Sequence, residues 1–131
     1  MLAGISKVQP GSQAFGNSLE HLVYLELIAQ KEYLRLRHEI EYWRTNTQHE
    51  VDFILSLGDE IVAIEVKGTE FPDNADCKGP RVFAEEFPKA RKFLVCNCAI
   101  SSRTSDGINI IPAGEFFDKL WNGEVHPVES F

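Results

Sequence analysis

No stretch of this chain approaches the roughly 20 apolar residues that a bilayer-spanning helix needs, so no transmembrane segment is expected. The opening MLAGISKVQPGSQ has none of the long apolar core of a secretory signal. Cysteine is scarce: Cys77, Cys96 and Cys98 are an odd number, which suits a reducing compartment better than a disulfide framework. Cytoplasmic residence without a membrane partner is the expectation. Cys96-x-Cys98 offers two soft ligands and no third, so both are expected as core residues rather than a metal site. The four histidines show neither H-x-x-x-H nor H-x-E spacing, and no Ser or Cys nucleophile pattern stands out. The chain also lacks a phosphate-binding loop of the GxxxxGK[ST] type, so ATP hydrolysis by that route is not expected.

Basic charge is in short supply too. Thirteen Lys and Arg face 20 Asp and Glu, for a net charge of -7, which argues against a general nucleic-acid-binding surface. The deficit is uneven. Residues 78–92 hold Lys78, Arg81, Lys89, Arg91 and Lys92 against Glu85 and Glu86 alone, a local basic patch that is either a phosphate-contacting surface or a solvated helix face.

What is present is one domain's worth of core. The 131 residues are 44% hydrophobic and 25% charged, within the range of ordinary globular chains. Residues 1–12 read as an irregular lead-in, with Ser12 a possible cap. Residues 13–37 read as a long helical stretch whose leucines place it centrally, with Glu20 on the same face as Val23, Tyr24 and Leu27. EIEYWRT at 39–45 and the runs VDFIL and IVAIEV read as three strands, the last two joined across Ser56 to Glu60. A loop over 68–79, a short helix over 80–91, strands KFLVCNCAI and GINIIP, and an amphipathic helix AGEFFDKLWNG closed by Gly123 complete the chain. The order α-β-β-β-α-β-β-α predicts an α/β sandwich: a central mixed β-sheet flanked by helices.

Asp52 and Glu65 stand out because each interrupts an apolar run where a buried strand favours Val or Ile. Strand alternation puts Val51, Phe53 and Leu55 on one face and Asp52 and Ile54 on the other, while Glu65 and Lys67 project together. Gly58-Asp59 is a favoured two-residue hairpin pair. With that turn Leu57 opposes Glu60, Asp52 opposes Glu65 and Glu50 opposes Lys67. Two carboxylates face to face require a shared proton or a cation between them. The first option suits an acid–base dyad. The second suits a hard divalent ion such as Mg²⁺, which takes one or two carboxylates and keeps several waters. Lys67 alongside could polarise a water or neutralise charge on a phosphoryl group. Asn17 and Glu20 also fit the spacing of a helix capping box, a purely structural use of Glu20.

Asp52, then Glu65-Val66-Lys67 after a hairpin, preceded by a helix bearing Glu20, resembles the PD-(D/E)XK nuclease superfamily with its restriction-endonuclease-like fold. Val51 stands where that motif carries its proline. GNSLEHLVYLEL, EYWRT, EVDFIL, AIEVKGT and LWNGEV together resemble, more narrowly, a domain of unknown function at the C-terminus of prokaryotic AAA-type ATPases, over nearly the whole chain. The resemblance implies a Mg²⁺- or Mn²⁺-dependent DNA endonuclease or resolvase-like phosphodiesterase. Asp52, Glu65 and the Val66 carbonyl would ligate the metal, Glu20 would complete the site or hold its water, and Lys67 would activate the water or stabilise the transition state. Arg44, Lys78 and Arg81 would contact phosphates. A homodimer and an AAA-type ATPase, as partner or as parent chain, are the implied partners besides DNA. The rival expectation is a non-catalytic module that keeps the nuclease fold and docks onto nucleic acid or protein.

Overall fold

The computed structural model describes residues 5–7 and 18–128. Seven strands form one mixed sheet in the order β1-β2-β3-β4-β5-β7-β6. β1 (Ile5–Lys7), β2 (Glu39–Arg44), β3 (Glu50–Leu57) and β4 (Glu60–Val66) make an antiparallel meander. β4 then runs parallel to β5 (Arg91–Cys96), and β5 parallel to β7 (Ile108–Pro112), with β6 (Ser102–Arg103) antiparallel on the outer edge. Helices α1 (Ser18–Tyr33) and α3 (Ala113–Trp121) cover one face, and α2 (Lys78–Glu86) covers the other. The expected sandwich of a mixed sheet between helices is what the chain forms.

The two faces are filled by different residues. Val23 and Leu27 of α1 and Phe116 and Leu120 of α3 meet Phe53, Leu55, Val62, Ile64, Val66, Phe93 and Val95. On the far face Phe83 of α2 packs on Trp43, Val51, Ile54 and Ala63. β4 is therefore apolar on both sides, which explains why IVAIEV reads as a continuous run. Trp43 is core, edge-on to Phe83 at 5.3 Å, and its ring is not presented to solvent.

Several boundaries differ from expectation. Residues 5–7 of the anticipated lead-in are a strand, because the outer edge of β2 is open to antiparallel pairing and three residues suffice to blunt it. The long helix is described from Ser18 and ends at Tyr33, where Arg35 turns to φ 55° and the chain reverses. Ser12 and Asn17, the expected caps, lie outside the described residues. Nor is α1 central: it lies on the surface layer, with Leu22 and Leu25 about half exposed. Within the expected loop, Asn74–Cys77 forms a 3-10 turn capped by the Asp73 carboxylate, which accepts from the Ala75 and Asp76 N–H groups. α2 begins at Lys78, two residues before Pro80, since proline is tolerated anywhere in a first turn whose N–H groups need no partner. β6 carries no apolar signal and was not anticipated.

Cys77 and Cys96 are buried and Cys98 is half-buried, all as free thiols; burial pushes the Cys96 thiol up to about 12, so it behaves as a small core residue. His38 is also buried, its ring parallel to that of His126 at 6.2 Å, and burial lowers its pKa to about 4. Across the same region Gln30 Nε2 donates to the Leu120 carbonyl and contacts His126 Nδ1, tying α1 to α3 and the segment after it.

Candidate functional site

The hairpin forms as its two turn residues dictate. Gly58 takes φ 60° while Asp59 keeps a negative φ, the pattern of a type II′ turn, and Leu57 pairs with Glu60. From there the register runs through Phe53 opposite Ile64. Beyond that pair the strands part. The start of β3 stays with β2 as far as the pair Glu50 and Arg44, and the end of β4 stays with β5 as far as Val66 and Val95. Asp52 and Glu65 sit at the mouth of this fork, one position past the last ladder pair.

Their carboxylates bridge the split. The Val66 N–H donates to Asp52 Oδ2 at 2.8 Å, and the Asp52 N–H donates to Glu65 Oε1 at 3.1 Å. Each side chain thus takes over a backbone donor that the ladder would otherwise have used. Because the N–H and C=O of one strand residue face the same neighbour, the Val66 carbonyl also turns toward the fork. Lys67, held by its own N–H on the Val95 carbonyl at 2.9 Å, brings its ammonium to 3.7 Å from Glu65 Oε2.

The alternation expected for β3 fails at this point. Glu41 pairs with Ile54 and Trp43 with Val51, so Asp52 and Phe53 together face the single residue Tyr42. That is a β-bulge, which adds a residue to one strand and re-aims its side chains. Val51 consequently joins the α2-side core with Ile54, instead of sharing a face with Phe53 and Leu55. The bulge leaves Asp52 within reach of both Glu65 from β4 and Glu20 from the first turn of α1, with which it shares side-chain hydrogen bonds.

Three carboxyls therefore converge, with Glu20 9% and Glu65 3% exposed. Burial, then hydrogen bonding to Asp52 and its charge, raise the Glu20 pKa from 4.5 to about 9; Lys67 opposes the shift. Glu65 is also pushed well above the ordinary range, first by burial and then by the Asp52 charge. Burial and the neighbouring Asp52 thus favour the protonated form of both glutamates. Among the described residues no group of three or more His, Cys, Asp or Glu is placed so that it could hold a metal ion. The donor chemistry nonetheless fits a hard divalent cation that needs only one or two carboxylates and retains water, since the groups are oxygen donors in anionic excess.

The shifts have a measurable consequence. Between pH 4.5 and about 9 the folded state keeps a proton on Glu20 that the unfolded chain has released, so stability declines as pH rises through that window. In EDTA the melting temperature should fall from pH 5 to pH 9, and Glu20→Gln combined with Glu65→Gln should flatten the decline. An equally steep decline in the double variant would mean both carboxyls are ionised in the fold.

Of the three expected phosphate contacts, two are engaged by acidic side chains. The Glu50–Lys67 pairing does not form: the ladder stops short of it, Glu50 lies 3.4 Å from Arg44 Nε, and Lys67 turns to Glu65. Arg44 also stacks over Tyr42, 5.4 Å from the ring centroid. Arg81 is bound by Asp106, Nε to Oδ2 at 2.7 Å, and by Asn74 Oδ1 at 3.3 Å. Lys78 is exposed at the start of α2. Two contributors escaped the sequence reading. Glu50 adds its negative charge to the field at Glu20. Gly79 lets α2 lie directly on the backbone of β3, where a Cβ would collide with the Glu50 carbonyl. The Gly79-Pro80 dipeptide was the available signal for such a contact.

Residues 15–116 match the model of the family described as Domain of unknown function (DUF4143). The chain belongs to that family. The matched DUF4143 segment takes in Glu20, the hairpin, the fork and α2. No curated protein and no solved structure is significantly similar to the chain.

Proposed function

We propose that the fork is the active site of a Mg²⁺- or Mn²⁺-dependent phosphodiesterase that cuts DNA, in a DUF4143 domain related to the PD-(D/E)XK nucleases. One observation carries the reading: Asp52 and Glu65, locked across the split by reciprocal bonds to backbone N–H groups, with the Lys67 ammonium 3.7 Å from Glu65. Two acids set by strand backbone rather than by flexible loops form a site with little freedom to rearrange. Asp52, Glu65 and the Val66 carbonyl would hold the cation, with Glu20 completing the set. Bound there, the metal would supply Lewis acidity toward a phosphoryl oxygen and lower the pKa of water. Lys67 orients the attacking water and counters the charge that grows on the phosphoryl group. Burial raises the proton affinity of Glu20 and Glu65, so a cation bound there would compete with protons for both carboxyls. Double-strand cutting by such a site calls for two copies acting together.

The test uses supercoiled and branched DNA with Mg²⁺, with Mn²⁺ and with EDTA. Cutting should require the cation and vanish in Asp52→Asn. Equal cutting by wild type and Asp52→Asn would end the enzymatic reading.

A second reading is favoured by the -7 net charge and by the high proton affinity of Glu20 and Glu65. In it the domain is a non-catalytic module that docks onto nucleic acid or protein within an AAA-type ATPase system. Under that reading millimolar Mg²⁺ leaves the melting temperature unchanged, whereas a bound metal raises it.

A further inference from the structure

The fork needs a surface to hold its polymer, and two of the three cations expected there are paired, Arg44 with Glu50 and Arg81 with Asp106, while Lys78 is exposed at the start of α2. The positive charge gathers elsewhere. At the N-terminal end of β5 a groove of about 760 Å³ opens beside the outer edge of the sheet. Its walls carry five Lys and Arg, among them Lys89, Lys92 and Arg103, against three carboxylates, Asp106, Glu115 and Glu124, the last paired with Lys119 at 3.8 Å. In a chain of net charge -7 this is a local reversal of sign.

The centre of the groove is built to a fixed shape. Thr104 to Gly107 form a turn closed by the Gly107 N–H on the Thr104 carbonyl at 3.1 Å, and the Ile108 N–H donates to Thr104 Oγ1 at 2.9 Å. Asp106 also lines the groove, but its carboxylate is taken by Arg81 and by the Thr104 hydroxyl, which hold its pKa down at about 2. Its carbonyl accepts from Lys92 Nζ at 3.0 Å. Arg103 stands on β6 opposite Asn109, and Lys92 on β5 beside Ile108, so the two cations straddle β7. Both reach the space over Gly107, where a Cβ would lie 3.6 Å from Arg103 Nη2 and 3.9 Å from Lys92 Nζ. The missing side chain leaves a methyl-sized opening flanked by a guanidinium and an ammonium, two donors that an oxyanion can approach. Among the described residues Arg103 and Lys89 make no ion pair.

We propose that this groove holds the phosphodiester backbone of DNA, one phosphate seated over Gly107 between Arg103 and Lys92, and the next met by Lys89. The choice of a polymer over a single phosphate follows from the spread of cations along an open groove rather than around one point. Lys92 lies three residues before Val95, the β5 residue that pairs with Val66, which is about 10 Å along the strand. Only the identity of the polymer rests on the phosphodiesterase reading.

The test is binding of a fluorescein-labelled duplex in EDTA across a salt series, read by anisotropy. Lys89 and Arg103 are exposed, so Lys89→Glu/Arg103→Glu should fold normally, with an unchanged melting temperature. It should weaken binding by about tenfold or more and reduce the slope of log K against log salt by about 2, one unit for each lost phosphate contact. Arg44→Ala should change neither. An unchanged affinity in the double variant, no binding by wild type at low salt, or full displacement of DNA by millimolar inorganic phosphate would each overturn the groove. Hydrolysis of bis(p-nitrophenyl) phosphate with Mn²⁺ needs no groove and separates the two readings. Hydrolysis without DNA binding removes the groove alone, and DNA binding without hydrolysis removes the enzyme alone.

Discussion

Lys67→Ala should slow metal-dependent DNA cutting at saturating substrate by about 10³-fold, within the range known for removing a proton-transfer or charge-stabilising group. The ammonium is carried on a backbone fixed at both sides, by β4 and by the Val95 carbonyl, and it points at Glu65. Its side chain is 41% exposed, so truncation removes little packing, and the melting temperature should stay close to that of wild type. Loss of rate without loss of stability separates chemistry from architecture. Lys67→Arg should recover only a small part of the rate, because a planar guanidinium spreads its charge and cannot replace a compact ammonium at a water. Equal rates for wild type and Lys67→Ala would show that the cutting belongs to a contaminant.

The largest structural effect should come from a residue with no side chain. In Gly79→Ala the new methyl group would overlap the Glu50 carbonyl, a backbone atom that can yield only if β3 or α2 moves. Overpacking of that kind costs about 3 kcal/mol, which in a domain of this size lowers the melting temperature by about 10 °C. Gly58→Ala is the matched control. Gly58 is left-handed with open space around it, so alanine there meets strain of about 1 kcal/mol and no collision. Displacing Glu50 also disturbs Asp52 two residues on, and Gly79→Ala should cut DNA more slowly even below its melting temperature. A melting temperature within 2 or 3 °C of wild type, roughly the effect of 1 kcal/mol, would mean that α2 does not rest on β3 as described.

The sequence made the hairpin and its register legible because both depend on two adjacent residues. Gly58 and Asp59 determine the turn, and the turn determines that Phe53 meets Ile64 and that Asp52 and Glu65 follow. Glu20 was within reach for the same kind of reason, since helical spacing places it on the face that covers the sheet. The bulge was not legible. It exists because β3 must satisfy β2 on one side and β4 on the other, and no pattern within VDFIL reports a conflict between two partners. The charge pairings were equally hidden: Arg81 is claimed by Asp106, 25 residues later, through a loop whose position is set by the edge of the sheet. The short edge strands β1 and β6 are defined by their backbone pairing, and pairing leaves no mark on composition.

Because Asp52 and Glu65 close backbone gaps that the parted strands leave, they serve as masonry whatever chemistry they carry. A copy of this domain that had lost all activity would still be under pressure to retain both acids, since alanine at position 52 strands the Val66 amide without an acceptor. The carboxylates are accordingly poor witnesses to whether a given member of the family works as an enzyme. The half-exposed ammonium of Lys67 fills no such gap, and it is at that position that a live copy and a retired one should be told apart.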